Sequence, residues 1–272
     1  MASGKQRKLG FVGAGNQGGP LAMRLVQAGH QLTVFDLNPK VQEEFAAAGA
    51  TVVDSAAAVG AVCDFVEVCV VDDAGVKEVV AGPTGLLTTM APGGIIAIHS
   101  TVLPTTVQAL AEQAAKQGVN LVDAAVTGGE ARARTGEMVV MLGGDDAGVA
   151  VCREIFPAFA KTMVHLGGVG AGQKAKAINN AIMCANFVLA HEAYEVGEAL
   201  GLDKDALAQV ICNGSAASFS MTVRTGLPSI KSFEYGAFLL KKDVGILRDS
   251  CDATPAKQIL AVADRLQGYV HD

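Results

Sequence analysis

The chain has 272 residues, half of them apolar and 18% charged, with no tryptophan and a formal net charge of −6. That length supports one large domain or two ordinary ones around a well-filled core. An acidic chain without a basic stripe argues against nucleic acid or an anionic membrane as partner, and no apolar stretch approaches the ~20 residues of a membrane span.

The N-terminal stretch MASGKQRKLGFVGAG sets basic residues before an apolar run, as a signal peptide would. The run is too short and glycines break it at once, so a cytoplasmic protein is expected. KLGFVG (8–13) reads as a short strand, residues 16–29 as a helix and QLTVFD (31–36) as a second strand. PKVQEEFAAAG follows as a helix, with Asn38 as N-cap and Pro39 at the first helical position. ATVVD, FVEVCVV, IIAIHS, LVDAAV, MVVML and MVHLG continue as buried strands to about residue 167, most of them with helical segments between. Short apolar strands alternating with helices predict an α/β fold with a parallel, doubly wound sheet. After Gly172 the strand pattern stops. Residues 173–200 read as one long helix closed by Gly201, ALAQVICNG and VGILRDSC as further helices, and 214–230 as a loop. The expected domains are 1–167, Rossmann-type, and 168–272, helical. The six cysteines form no CxxC and none stands near a histidine at metal spacing, so they are expected to be reduced and buried, with no metal site.

GFVGAGNQGGP places Gly13, Gly15 and Gly18 in the GxGxxG spacing between a strand and a helix. The first glycine allows the tight turn, the second lets a pyrophosphate approach and the third lets helix pack on strand. Asn16 and Gln17 lie within this turn, at a helix N-terminus that favours an anion. Asp36 ends the second strand, where dinucleotide folds place an acid for the adenosine ribose. A carboxylate there repels a 2′-phosphate, so NAD is expected over NADP, with Lys40 nearby leaving room for NADP. The competing reading of Asp36 is the start of an Asp-Leu-Asn-Pro turn.

Several stretches together resemble the β-hydroxyacid dehydrogenases, the group that includes 3-hydroxyisobutyrate dehydrogenase and tartronate semialdehyde reductase. LGFVGAGNQGGPLA is similar to their opening turn and HSTVLP (99–104) to their Ser-Thr-x-x-Pro loop. DAAVTGGEARARTGEM (123–138) resembles their Asp-Ala-Pro-Val-Ser-Gly-Gly segment, GAGQKAKAINN (170–180) the segment with the catalytic lysine, and KKDVG (241–245) their Lys-Asp motif. The resemblance implies a Rossmann-type domain, a long linking helix and an all-helical C-terminal domain. It further implies a homodimer or homotetramer and reversible NAD(P)-dependent oxidation of a 3-hydroxy acid to its semialdehyde.

Lys176 and Asn180 are one helical turn apart and share a face; Asn179 points about 100° away. Hydride transfer requires the substrate hydroxyl to lose its proton, and a lysine can take it. The free lysine pKa of about 10.4 is too high for this near neutrality, and burial beside a cationic nicotinamide would lower it. Asn180 either holds the lysine or donates to the developing alkoxide. The competing reading of Lys176 is a snorkelling surface lysine. Ser100 and the Thr127-Gly128-Gly129 turn offer donors to a substrate carboxylate or sulfonate. The resemblance assigns them substrate binding, places Thr101 by the nicotinamide ribose and brings Lys242 over substrate and cofactor.

The chain departs from the family at Thr127, usually Ser, and at Ala125, usually Pro. Ile98 stands where an acid is common, Gln17 replaces a common Met, and the C-terminus at His271-Asp272 is short. His99 reads as a satisfied loop histidine more readily than as a site residue. Two rival readings remain: an imine reductase, against which Lys176 argues, and a dinucleotide-binding sensor without catalysis. Arg132 and Arg134 are candidates for tuning substrate choice.

Overall fold

Short runs of β-branched and aromatic residues become strands here because alternate side chains bury on opposite faces of one sheet. In the computed structural model, which describes residues 7–251 and 253–271, eight strands lie in the order β3-β2-β1-β4-β5-β6-β7-β8. They are β1 (Leu9–Val12), β2 (Leu32–Phe35), β3 (Thr51–Val52), β4 (Phe65–Val68), β5 (Ile95–Ile98), β6 (Asn120–Thr127), β7 (Met138–Gly143) and β8 (Ala160–His165). Between them run α1 (Gly18–Gln27), α2 (Pro39–Ala47), α3 (Ala56–Val62), α4 (Asp73–Ala81), α5 (Pro104–Ala115), α6 (Gly129–Thr135) and α7 (Asp146–Ile155). One face of the sheet buries Phe11, Phe65 and Ala97 beneath Leu21 and Leu25 of α1 and Val149 of α7. The other buries Val66, Ile96 and Ile98 beneath Val59 of α3, Val76 of α4 and Leu110 of α5. Each large apolar side chain so buried contributes about 1.5–3 kcal/mol.

Strands β1 to β6 are parallel throughout. Strand β7 runs antiparallel to β6 and β8 parallel to β7, so the expected parallel sheet is interrupted only at the pairing of β6 with β7. Only residues 128–137 join β6 to β7, fewer than the dozen or so that a parallel crossover needs. The expected cap of α2 is present: Asn38 accepts from the Lys40 amide at 3.1 Å with Pro39 at the first helical position.

The helical remainder comprises α8 (Ala171–Ala199), α9 (Lys204–Asn213), α10 (Phe219–Thr225), α11 (Glu234–Ser250), α12 (Ala253–Ala263) and α13 (Leu266–His271). Gly201 closes α8 with φ +71°. The segment 214–230, expected to be a loop, contains α10, which starts where Ser218 accepts from the Met221 amide. The chain divides into two compact units between Lys176 and Ala177, within α8. All six cysteines are unbridged. Among the described residues no helix is long and apolar enough to cross a membrane. Residues 1–6, where the leader-like reading began, and Asp272 lie outside the described residues.

Candidate functional site

Because β1 to β6 are parallel, the loops after β1, β2, β5 and β6 leave one edge of the sheet, and strand order reverses between β1 and β4. Ligands of open α/β sheets sit at such a reversal. Gly13 follows β1 with φ +86°, and a Cβ there would lie 2.5 Å from the Cys69 carbonyl oxygen. A Cβ on Gly18 would run into the Gly13 carbonyl, whereas one on Gly15 would meet nothing. The turn is therefore close-packed at its two ends and open in the middle. Gly15, Asn16 and Gln17 are exposed, and Gln17, the N-cap of α1, caps no amide with its side chain. An uncapped helix start behind an open glycine fits a dinucleotide pyrophosphate.

Asp36 starts the Asp-Leu-Asn-Pro turn read for it and holds the glycine turn as well. Its Oδ2 accepts from the Ala14 amide at 2.8 Å, which fixes the glycine turn, and its Oδ1 accepts from the Asn38 amide at 2.8 Å. Gln42 Nε2 donates to the Asp36 carbonyl at 2.6 Å. Gln42, Val52, Val53, Asp54 and Ala58 line an open cavity of about 560 Å³. No residue signal in the sequence marks that cavity; only the position after β2 and β3 does.

After β5 the chain is fixed residue by residue. The His99 ring contacts the Ala124 carbonyl through Nδ1 at 2.7 Å and Glu67 Oε2 through Nε2 at 2.8 Å. It packs against Phe11, Phe156 and Phe159. A carbonyl only accepts, so Nδ1 carries a hydrogen. His99 is thus an interior histidine that anchors the loop. Ser100, 3% exposed, accepts from the Val70 amide at 2.8 Å through Oγ. Its carbonyl accepts from Gln173 Nε2 at 2.8 Å, and Gln173 Oε1 accepts from the Val102 amide at 3.1 Å. Thr101 lies between these tethers, half-buried. Ser100 does not cap α5. Asp73 Oδ1 tethers the start of that helix, accepting from the Leu103 amide at 3.0 Å and from the Thr106 hydroxyl at 2.6 Å.

Thr127 ends β6 opposite Val139. Gly128 and Gly129 follow with φ +135° and +73°, conformations that favour glycine. Arg134 is paired with Glu130 one turn away, both exposed.

Asp123, buried within β6, accepts from the amides of Gly170 and Gln173 at 2.7 and 2.8 Å. Burial lifts its carboxyl to about 6, while those amides hold it down. Four residues into α8, Lys174 is exposed; Lys176 is half-buried. Further along, Asn180 is 5% exposed and donates through Nδ2 to Asp243 Oδ2 at 2.6 Å. Asn179 Nδ2 donates to Asn180 Oδ1 at 2.9 Å, so Asn179 braces its neighbour. Side chains 100° apart on a helix still meet when both are amide-tipped and adjacent. Lys242 Nζ lies 3.2 Å from Asp243 Oδ1.

The structure thus gathers Asp36 with the glycine turn, Ser100 with Gln173, and Asn180 with Asp243 and Lys242. Sequence reasoning missed Gln173, Asp123, Glu67 and Asp243. The signal for Glu67 and Asp123 was an acid inside an apolar strand, and for Asp243 the Lys-Asp pair itself.

Residues 8–167 match the profile of the NAD-binding domain of 6-phosphogluconate dehydrogenase. Residues 170–267 match that of the NAD-binding region of NADP-dependent 3-hydroxyisobutyrate dehydrogenase. An uncharacterized oxidoreductase of Mycobacterium tuberculosis is 41% identical over 204 residues, which is 75% of this chain and 69% of that protein. The human mitochondrial 3-hydroxyisobutyrate dehydrogenase is 31% identical over 261 residues, covering 93% of this chain and 78% of that one. The solved structure of a Mycobacterium tuberculosis 3-hydroxyisobutyrate dehydrogenase with L-serine superposes with a TM-score of 0.84 at 27% identity, covering 98% of this chain and 95% of that one. With its glycine turn, its sheet order and both halves matched, the chain belongs to the β-hydroxyacid dehydrogenase family and is an oxidoreductase that uses NAD or NADP.

Proposed function

We propose that the protein interconverts a small 3-hydroxy acid and its semialdehyde, with Lys176 as general acid/base and NAD preferred. The observation that carries this reading is Asn180, buried on the helix of Lys176 with its amide oriented from both sides. Asn179 occupies Oδ1 and Asp243 takes one Nδ2 hydrogen, which leaves the other hydrogen to donate to a substrate oxygen. Four residues earlier, Lys176 takes the hydroxyl proton in oxidation and returns it in reduction. The bound nicotinamide supplies the hydride acceptor or donor. Ser100 Oγ accepts from the Val70 amide, and its own hydrogen is the donor to the anion. With the amides of the Thr127-Gly128-Gly129 turn it holds the substrate carboxylate or sulfonate, a role that the family resemblance assigns to Lys242 as well. Thr101 borders the nicotinamide ribose, and Asp36 receives the adenosine ribose next to the cavity beside Gln42. The human and mycobacterial relatives named for 3-hydroxyisobutyrate support this substrate class. Residues from 168 onward supply substrate contacts and self-association. Leu189, Val196, Leu200 and Val210, all more than half exposed, support a homodimer or homotetramer.

The test follows nicotinamide absorbance with NAD and NADP against a panel of 3-hydroxy acids and semialdehydes. Lys176→Ala is expected to lose about 10²–10⁴ in kcat while still binding cofactor. An equally active variant, or cofactor binding without turnover of any compound, would overturn the reading.

A further inference from the structure

The helical unit holds a cavity of about 320 Å³, lined by His191, Tyr194, Lys204, Leu207 and Arg224 among others. None of these residues belongs to the machinery described above. Arg224 is 5% exposed. Its Nη1 donates to the Leu227 carbonyl at 3.1 Å, and its buried Nε has no hydrogen-bond partner among the described residues. No ion pair between Arg224 and a carboxylate occurs among the described residues. The guanidinium instead lies 5.1 Å from the centroid of the Tyr194 ring, and Lys204 Nζ lies 5.2 Å from the same centroid. Two cations thus converge on one ring, whose hydroxyl is already engaged with Thr225 Oγ1 at 3.0 Å.

A buried cation without a counter-charge is costly, and a ring face offsets only part of that cost. Two further lining residues, Glu195 and Glu198, are exposed, so solvent screens them where it does not screen Arg224. Arg224 is therefore the buried charged side chain of this lining. His191 Nδ1 is buried and unpartnered, and burial pushes the imidazole below its usual range, which keeps it neutral at pH 7. It adds a hydrogen-bonding group without adding charge. Leu202 and Leu207 supply an apolar wall.

We propose that this cavity binds a small organic oxyanion, a carboxylate or phosphate with a short apolar body, held by Arg224 and Lys204 beside Tyr194. The site is separate from the reaction proposed above and does not depend on it.

The test is calorimetric titration of the full chain with isobutyrate and with inorganic phosphate. Each is run on the wild type, Arg224→Gln, Lys204→Ala and Thr127→Val. The last variant separates this cavity from the proposed substrate site. Saturable binding of either probe is expected, weakened about tenfold or more by Arg224→Gln and by Lys204→Ala and unchanged by Thr127→Val. The probe that binds more tightly names the source of the oxyanion. Glutamine keeps a donor for the Leu227 carbonyl. Lys204 is exposed, so its variant decides the matter even if Arg224→Gln fails to fold. No saturable binding, or binding lost only in Thr127→Val, overturns the proposal. Binding that occurs only after dissociation of an oligomer overturns it too and gives the cavity to a second copy of the chain.

Discussion

Asp36 has two partners, and both bear on the cofactor preference proposed for it. Its oxygens accept from the amides of Ala14 and Asn38, so the carboxylate is held rigidly beside the glycine turn. A fixed negative charge repels a 2′-phosphate more than a mobile one does, since it cannot swing away. Asp36→Asn is expected to reduce the preference for NAD over NADP about tenfold and to cost about 1–2 kcal/mol of stability through the lost acceptor. Cofactor titrations and a denaturation midpoint check both halves; an unchanged cofactor ratio would sink the charge argument. Asp243 is the other residue with a double duty, to Asn180 and to Lys242. Asp243→Ala removes both contacts and is expected to lower kcat about 10²-fold. Asp243→Asn keeps an acceptor for Asn180 and should lose less. Equal losses in steady-state assays would mean that the charge facing Lys242 matters, and not the orientation of the amide.

At the scale of elements, Asp123 joins β6 to the start of α8. Two influences compete on its carboxyl. Burial favours the neutral form, and the amides of Gly170 and Gln173 favour the ionised one; burial prevails and lifts it from 3.8 to about 6. Between these values the folded chain holds a proton that the unfolded chain has released. Stability from this group therefore falls as pH rises from about 4 to 6, by up to about 3 kcal/mol over the full shift. Asp123→Asn cannot titrate, and its amide group faces a backbone donor. Its stability deficit against wild type is expected to be largest at pH 4.5 and to shrink by pH 7. Urea midpoints at the two values check this, and a deficit that grows with pH would show the backbone amides prevailing. The elements themselves were largely legible in the sequence. Strands β1, β2, β4 and β5 and the Asn38 cap follow from apolar runs and local capping chemistry. The direction of β7 was not read, because it is decided by the length of its connection rather than by its own residues. The polar braces of the site were illegible for another reason. Gln173 meets Ser100 across 73 residues and Asn180 meets Asp243 across 63, and no local pattern records such distances.

The whole molecule divides within a continuous helix, after Lys176, and a ligand held by one unit is expected to act on that unit first. The glycine turn, Asp36 and the cavity beside Gln42 all belong to the α/β unit. A dinucleotide that binds only the folded form adds RT ln(1 + [L]/Kd), about 2.7 kcal/mol at 100 times Kd. For a unit of this size that corresponds to roughly 5–10 °C in melting temperature. Calorimetry with saturating NAD is expected to move the transition of the α/β unit by this amount. Amide exchange should slow first at Ala14, whose N–H is bonded to Asp36, and along α1. Helices α9 and α10 should change less, because none of their residues belongs to the dinucleotide site. Equal protection of α9, α10 and the glycine turn would show that the cofactor stabilises both units as one. A melting shift without protection at the glycine turn would place the dinucleotide elsewhere, and the fit drawn from Gly15 and the open start of α1 would then be wrong.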